Sequence, residues 1–247
     1  MTVRRVTPTA SVVLAPNPGP MTLEGTNTWV LRGASEGCVV VDPGPLHEGH
    51  LAEVAALGPV EVVLLTHGHP DHSEGARRFA ELTGAGVRAL DPAHRLGSEG
   101  LVDGDVVDAA GLELRVLATP GHTSDSLSFQ LADAVLTGDT VLGRGTTVVA
   151  HPDGVLDDYL TSLRRLRELG DLTVLPGHGP ELASAGVVAE HYLRHRAARL
   201  EQVRAALAAG ARTPDEVVAS VYADVDRTLW PAARLSVLAQ LEHLRLS

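Results

Sequence analysis

Val62-Val63-Leu64-Leu65-Thr66-His67-Gly68-His69-Pro70-Asp71-His72 is an apolar run that ends in a loop carrying four side chains able to bind a metal. Apolar runs of this length, bounded by Gly and Pro, read as buried strands. The pattern returns three times: Leu114 to Leu117 precede His122, Ala134 to Leu136 precede Asp139, and Leu172 to Leu175 precede His178. Sheets collect functional groups on the loops at one end. Seven such groups, His67, His69, Asp71, His72, His122, Asp139 and His178, are enough for two metal ions.

The rest of the chain suits a sheet-on-sheet arrangement with helices outside. Strands are expected at Ser11 to Ala15, Thr28 to Leu31, Cys38 to Val41, near Val87 and Val106, and from Ser126 to Leu131. Ser73 is the expected N-cap of a helix running to about Leu82. Leu156, Leu160, Leu163, Leu166 and Leu169 recur at three and four residues, which gives a helix with one apolar face, closed by Gly170. Two strand-helix halves of this kind stack as layers.

Past Gly179-Pro180 the character changes. Residues 187–209 form an amphipathic helix, and Thr213-Pro214-Asp215-Glu216 supplies an N-cap, an N1 proline and an N3 glutamate in order. A last helix starts at Pro231. The domains are therefore drawn as 1–186, carrying the ligand loops, and 187–247, a small helical cap.

Composition narrows the chemistry. All 20 basic residues are arginine, so any mechanism that needs a lysine ammonium or Schiff base is excluded. The net charge of −11 argues against a general nucleic-acid coat, which shows as a basic field. Cys38, the only cysteine, sits in a strand as a buried inert thiol. No window approaches a membrane span, and the apolar stretch after Arg5 is too short for a signal segment; a cytoplasmic enzyme without a membrane partner is expected.

Spacing sorts the seven ligands. Positions i and i+2 of an extended loop face the same way, so His67 and His69 share one ion, joined by His122. Pro70 bends the chain and turns Asp71 and His72 toward a second ion, with His178. Asp139 has two oxygens and bridges ions roughly 3.5–4 Å apart. Imidazole and carboxylate suit zinc, with manganese or iron also open. Two zinc ions would lower the pKa of a shared water from about 15.7 to about 7. Such a pocket attracts anionic or polarised carbonyl groups.

These residues resemble the metallo-β-lactamase superfamily, through the H-x-H-x-D-H loop at 67–72 with His122, Asp139 and His178. The resemblance spans about residues 10–185. It implies an α+β fold, the αβ/βα four-layer sandwich, and a hydrolase in which a metal-bridging hydroxide attacks the substrate, with Asp71 as the catalytic carboxylate. True zinc β-lactamases commonly carry a cysteine ligand and a lysine for the drug carboxylate; this chain has neither at such a place, which puts lactam hydrolysis aside.

A narrower resemblance rests on Asn17-Pro18-Gly19-Pro20, Leu23 to Thr28 and His195-Arg196…Arg199…Gln202-Val203. These look like the branch named after β-lactamase-like protein 2. The branch implies a winged-helix-like cap and endoribonuclease action on single-stranded RNA, while related sequences are acyl-carrier thioesterases. Phosphodiester cleavage of RNA is the first expectation, and thioester or ester hydrolysis of the glyoxalase-II or acyl-carrier type the alternative. A DNA-binding regulator is disfavoured, since the last helix offers only Arg234 and Arg245 beside Glu242. An iron redox enzyme would use the same ligands.

Around the ions, Asp42 in Asp-Pro-Gly-Pro is either a turn residue or a carboxylate that orients a ligand. Asn27 and Thr146 are placed at the pocket mouth, and His195, Arg196 and Arg199 are an anionic-substrate handle, against the plainer reading of a solvated helix face. His47, His50, His94, His151 and His243 lack ligand spacing and read as surface or core histidines. Leu229 and Trp230 leave a homodimer contact and the core both open.

Overall fold

Val39, Val41 and Leu64 pack inward against Leu114, Val116 and Phe129, while Val40 and Val63, one residue away, face Leu51 and Phe79. Alternate side chains of a strand point to opposite faces, so both faces of each sheet are covered. The computed structural model describes residues 3–246. Its first sheet holds β1 (Arg4–Arg5), β2 (Ala10–Leu14), β3 (Asn27–Leu31), β4 (Cys38–Val41), β5 (Val60–Leu64) and β6 (Gly86–Arg88) in chain order. The second holds β7 (Val106–Ala109), β8 (Leu112–Ala118), β9 (Leu127–Gln130), β10 (Ala134–Gly138) and β11 (Thr173–Pro176), also in chain order.

Helices form the outer layers. α1 (Glu48–Ala55) and α3 (Ala76–Thr83) lie on the first sheet, and α4 (Leu156–Arg167) and α5 (Ala185–Ala208) on the second. Leu51 and Phe79 are sealed from solvent, which is worth about 1.5–3 kcal/mol each. This is the four-layer α+β sandwich that the resemblance implies.

Two parallel pairs position the site. β4 pairs with β5, with Val41 opposite Leu64, and β10 pairs with β11, with Leu136 opposite Leu175. Parallel strands end at the same edge, so Asp42 meets Thr66, and Asp139 meets the His178 loop. The Trp29 indole ties the two sheets by donating to the Pro176 carbonyl at 3.0 Å.

Two local expectations change. Ser73 does not cap the helix to Leu82. It closes the one-turn α2 (Pro70–Ser73), and its hydroxyl donates to the carbonyls of Gly68 and His69, while Gly75 is the N-cap of α3. The bend at Pro70 brings those carbonyls within reach and uses up the hydroxyl. The amphipathic helix begins at Ala185 rather than 187, capped by Ser184.

α5 serves both parts of the chain. Ala185, Ala189 and Tyr192 pack with Leu163 and Leu166 of α4, whereas Val203 and Ala206 pack with α6 (Pro214–Val221) and α7 (Trp230–Leu246). The expected capping box at Thr213 and Glu216 is formed, with both reciprocal bonds present. No strand follows Pro176 among the described residues. None of the described helices is long and apolar enough to cross a membrane.

Candidate metal centre

Four of the five histidines of the ligand loops have their Nδ1 protons assigned by their partners. His122 Nδ1 lies 2.8 Å from the Val148 carbonyl and His178 Nδ1 3.2 Å from the Gly25 carbonyl. A carbonyl only accepts, so both nitrogens carry the proton. His72 Nδ1 donates to Asp42 Oδ2 at 2.8 Å. The Thr66 hydroxyl gives its proton to the same oxygen at 2.6 Å and so accepts from His67 Nδ1 at 3.0 Å. The Nε2 lone pairs of His67, His72, His122 and His178 are thereby aimed inward.

Those lone pairs converge. His67 Nε2 and His122 Nε2 lie 3.1 and 3.0 Å from His69 Nδ1. His72 Nε2 and His178 Nε2 face each other at 3.2 Å, and Asp71 Oδ2 is 3.4 and 3.1 Å from them. Asp139 lies between the groups, 3.4 Å from His72 and His178 and 3.8 Å from His122. Its buried Oδ1 makes no hydrogen bond. Ring nitrogens this close need either a shared proton or a bound cation between them. The donors form groups that could hold a divalent metal ion: His67, His69 and His122; His67, His72 and Asp139; and Asp71, His72 and His178.

The electrostatics agree. Burial disfavours the charged form of His178, yet Asp139 and Asp71 outweigh it and push its pKa up to about 9. Burial likewise opposes charge on Asp139, but His72 and His178 hold its carboxyl well below the usual range. Burial, with His72 next, pushes His67 well down. Negative charge is thus concentrated around Asp139, where positive charge is wanted. Gly177 makes the close approach possible, since a Cβ there would stand 2.5 Å from Asp139 Oδ1 and 2.6 Å from the His72 ring.

A cavity of about 310 Å³ opens onto His122 and Asp139. Met21, Leu142 and Val148 line one side, and Val225, Leu229 and Ala233 of the C-terminal part line the other. Thr146, His195, Arg196 and Arg199 also line it. Their states differ. Burial, with Arg196 and Arg199, pushes His195 down to about 4, so it is neutral at neutral pH. Arg199 already donates to the Val221 carbonyl at 2.7 Å, and Arg196 is bound to the Thr147 carbonyl. Asn27 lies away from the cavity, and its amide donates to the carbonyls of Pro176 and Gly179 at 3.0 and 2.8 Å. Leu229 faces the cavity, while Trp230 packs in the C-terminal core.

Asp42 orients ligands and also makes the turn, with φ of 52°. Sequence reasoning missed Thr66, the relay to His67, although it stands directly before the first ligand. It also missed the two carbonyls that hold His122 and His178, since a backbone oxygen leaves no mark in residue type. His50 is a core histidine bonded to the Thr28 hydroxyl at 2.9 Å.

Comparison with known proteins agrees with this geometry. Residues 21–178 match the family model described as the metallo-beta-lactamase superfamily, and residues 213–245 match the beta-lactamase associated winged helix domain. The atrochrysone carboxyl ACP thioesterase of Aspergillus fumigatus is 36% identical over 85% of this chain and 72% of its own length. The beta-lactamase-like protein 2 homolog of Caenorhabditis elegans is 32% identical over 96% of this chain and 82% of its own length. A metallo-beta-lactamase family protein from Thermus thermophilus superposes with a TM-score of 0.82 at 27% identity, covering 97% of this chain and 94% of that one. The sandwich, the convergent histidines and carboxylates, and the C-terminal helices all meet in one conclusion: the chain is a hydrolase of the metallo-beta-lactamase superfamily.

Proposed function

We propose that this hydrolase cleaves thioesters whose acyl group is apolar, as delivered by an acyl carrier or coenzyme A. The observation that carries the reading is the wall of the cavity beside His122 and Asp139: Met21, Leu142, Val148, Val225, Leu229 and Ala233 offer an acyl chain a dry seat. Such a surface gains about 25 cal/mol per Å² of apolar area removed from water. A phosphodiester backbone gains nothing there; of the three arginines that line the cavity, Arg196 and Arg199 donate to carbonyl oxygens and Arg144 pairs with Glu24. The relative named as an acyl-carrier thioesterase supports the same order. RNA cleavage, first in the sequence reading, becomes second.

The chemistry divides among named groups. When bound, the metal ions polarise a carbonyl oxygen and make a water ionisable near neutral pH. His67, His69 and His122 would hold one ion, and Asp71, His72 and His178 the other, with Asp139 lying between the two sets. Zinc suits this nitrogen-rich set; iron does as well, and a related protein, TTHA1623 (TM-score 0.58, 25% identity, covering 70% of this chain and 93% of that one), is described in a di-iron-bound form. Asp42 and Thr66 keep His67 and His72 in the tautomers that present Nε2. Asp71 accepts from the Thr26 hydroxyl at 3.4 Å and is the most exposed of the three carboxylates, at the open side of the site. The apolar wall aligns the acyl group and keeps bulk water out.

The test is hydrolysis of an acyl thioester series and of labelled single-stranded RNA by metal-loaded protein, with Asp71→Ala in parallel. Thioester turnover that rises with acyl length and is lost in the variant supports the reading. Discrete RNA cleavage by wild type, with thioesters untouched, reverses it.

A further inference from the structure

Thr147, Val148 and Val149 form a short strap between the metal ligands and the C-terminal helices, and it bonds to both. On the inner side, the Val148 carbonyl takes the Nδ1 proton of His122 at 2.8 Å, and the Thr147 hydroxyl donates to the Asp139 carbonyl at 2.7 Å. On the outer side, Arg196 of α5 donates to the Thr147 carbonyl, and the Ser236 hydroxyl of α7 accepts from the Val149 amide at 3.2 Å.

The outer pair is unusual in its setting. Arg196 is only 4% exposed, and none of the ion pairs among the described residues involves it. It lies 5.0 Å over the Tyr159 ring, and its Nε has no hydrogen-bond partner. Placing a guanidinium in such a site costs several kcal/mol. A fold that needed only packing would place an apolar residue there. Ser236 is buried at 5% exposure and also spends its hydroxyl on this strap. On its flanks Arg144 and Gly145 are exposed, the Gly143 amide donates to the His178 carbonyl at 2.8 Å, and the Ala150 amide donates to the His122 carbonyl at 3.1 Å. Arg196 of α5 and Ser236 of α7 thus supply the bonds that hold the strap from its outer side.

We propose that Arg196 and Ser236 are positioning residues for the metal centre, acting through the Thr147–Val149 strap to hold His122 and Asp139 in ligand geometry. Val148 has to sit where its carbonyl fixes the His122 ring with Nε2 inward, and partners of this kind are worth 10–100-fold in metal affinity. The C-terminal helices thus do more than wall the cavity; they complete the site. The inference rests on reading His122 and Asp139 as ligands, and is independent of the substrate.

The experiment is cobalt(II) titration of the full chain, following the visible absorption of each ion and its affinity against a competing chelator, with thermal melting alongside. Ser236→Ala and Arg196→Gln are expected to weaken one of the two ions, that of His67, His69 and His122, by about 10–100-fold. The spectrum of that ion should change while the other is kept, and Arg196→Lys, which retains a donor for the Thr147 carbonyl, should restore part of the loss. A purely stapling role would lower the melting temperature and leave affinity and spectrum unchanged; that outcome overturns the proposal. Wild-type protein that binds no cobalt would overturn the ligand reading itself, and this inference with it.

Discussion

Asp42 Oδ2 accepts the Nδ1 proton of His72 at 2.8 Å, with both side chains sealed from solvent. The same oxygen takes the Thr66 hydroxyl proton, and Thr66 in turn holds His67. One carboxylate therefore holds His72 directly and His67 through Thr66, a histidine of each of two candidate ligand groups. A turn residue at the end of β4 becomes the common anchor of the centre.

Replacing that anchor should be costly without unfolding the chain. Asparagine tolerates the positive φ of 52° at this position but cannot accept all three bonds that Asp42 takes, from His72 Nδ1, the Thr66 hydroxyl and the Thr66 amide. Asp42→Asn is expected to weaken metal binding about 10–100-fold, with turnover falling in step and the melting temperature of the metal-free protein little changed. Chelator competition measures it.

Gly177 gives a steric counterpart. An added Cβ would meet Asp139 Oδ1 at 2.5 Å and the His72 ring at 2.6 Å. Gly177→Ala should lose metal and activity together while keeping its helical circular dichroism.

The cavity wall should set which acyl group is accepted. Ala233→Leu adds bulk to the side contributed by α7. KM should rise for long acyl thioesters and stay near wild type for an acetyl thioester, whereas parallel losses for both would mean that the cavity does not hold the acyl chain.

His50 should add an acid-side dependence to stability. Its pKa is pushed by burial, with His47 next, from the ordinary 6.5 down to about 4. The unfolded chain binds the proton first as pH falls, so stability drops between about pH 6.5 and 4, by at most about 1.4 kcal/mol per pH unit. His50→Asn should flatten this part of the melting-temperature profile against wild type measured under the same metal-free conditions.

Much of this was legible in the chain. The seven residues read as ligands share one signal, an apolar strand whose following loop carries a His or Asp, and the two parallel strand pairs bring strand ends to one edge. The capping box at Thr213 was equally local. What escaped is either backbone or distant. The Val148 and Gly25 carbonyls carry no residue signature, and Ser236 reaches Val149 across 87 positions. Ser73 misled because capping rules see four residues of sequence and not the bent loop above them, whose carbonyls take its hydroxyl. Asn27, read as a pocket residue, instead holds the His178 loop.

The most direct measurement is metal stoichiometry at equilibrium for wild type, His69→Ala and His178→Ala. Two ions per chain in wild type, with a different one lost in each variant, is the result expected from two sets joined by Asp139. A single ion in wild type, or two ions retained in both variants, would contradict the account.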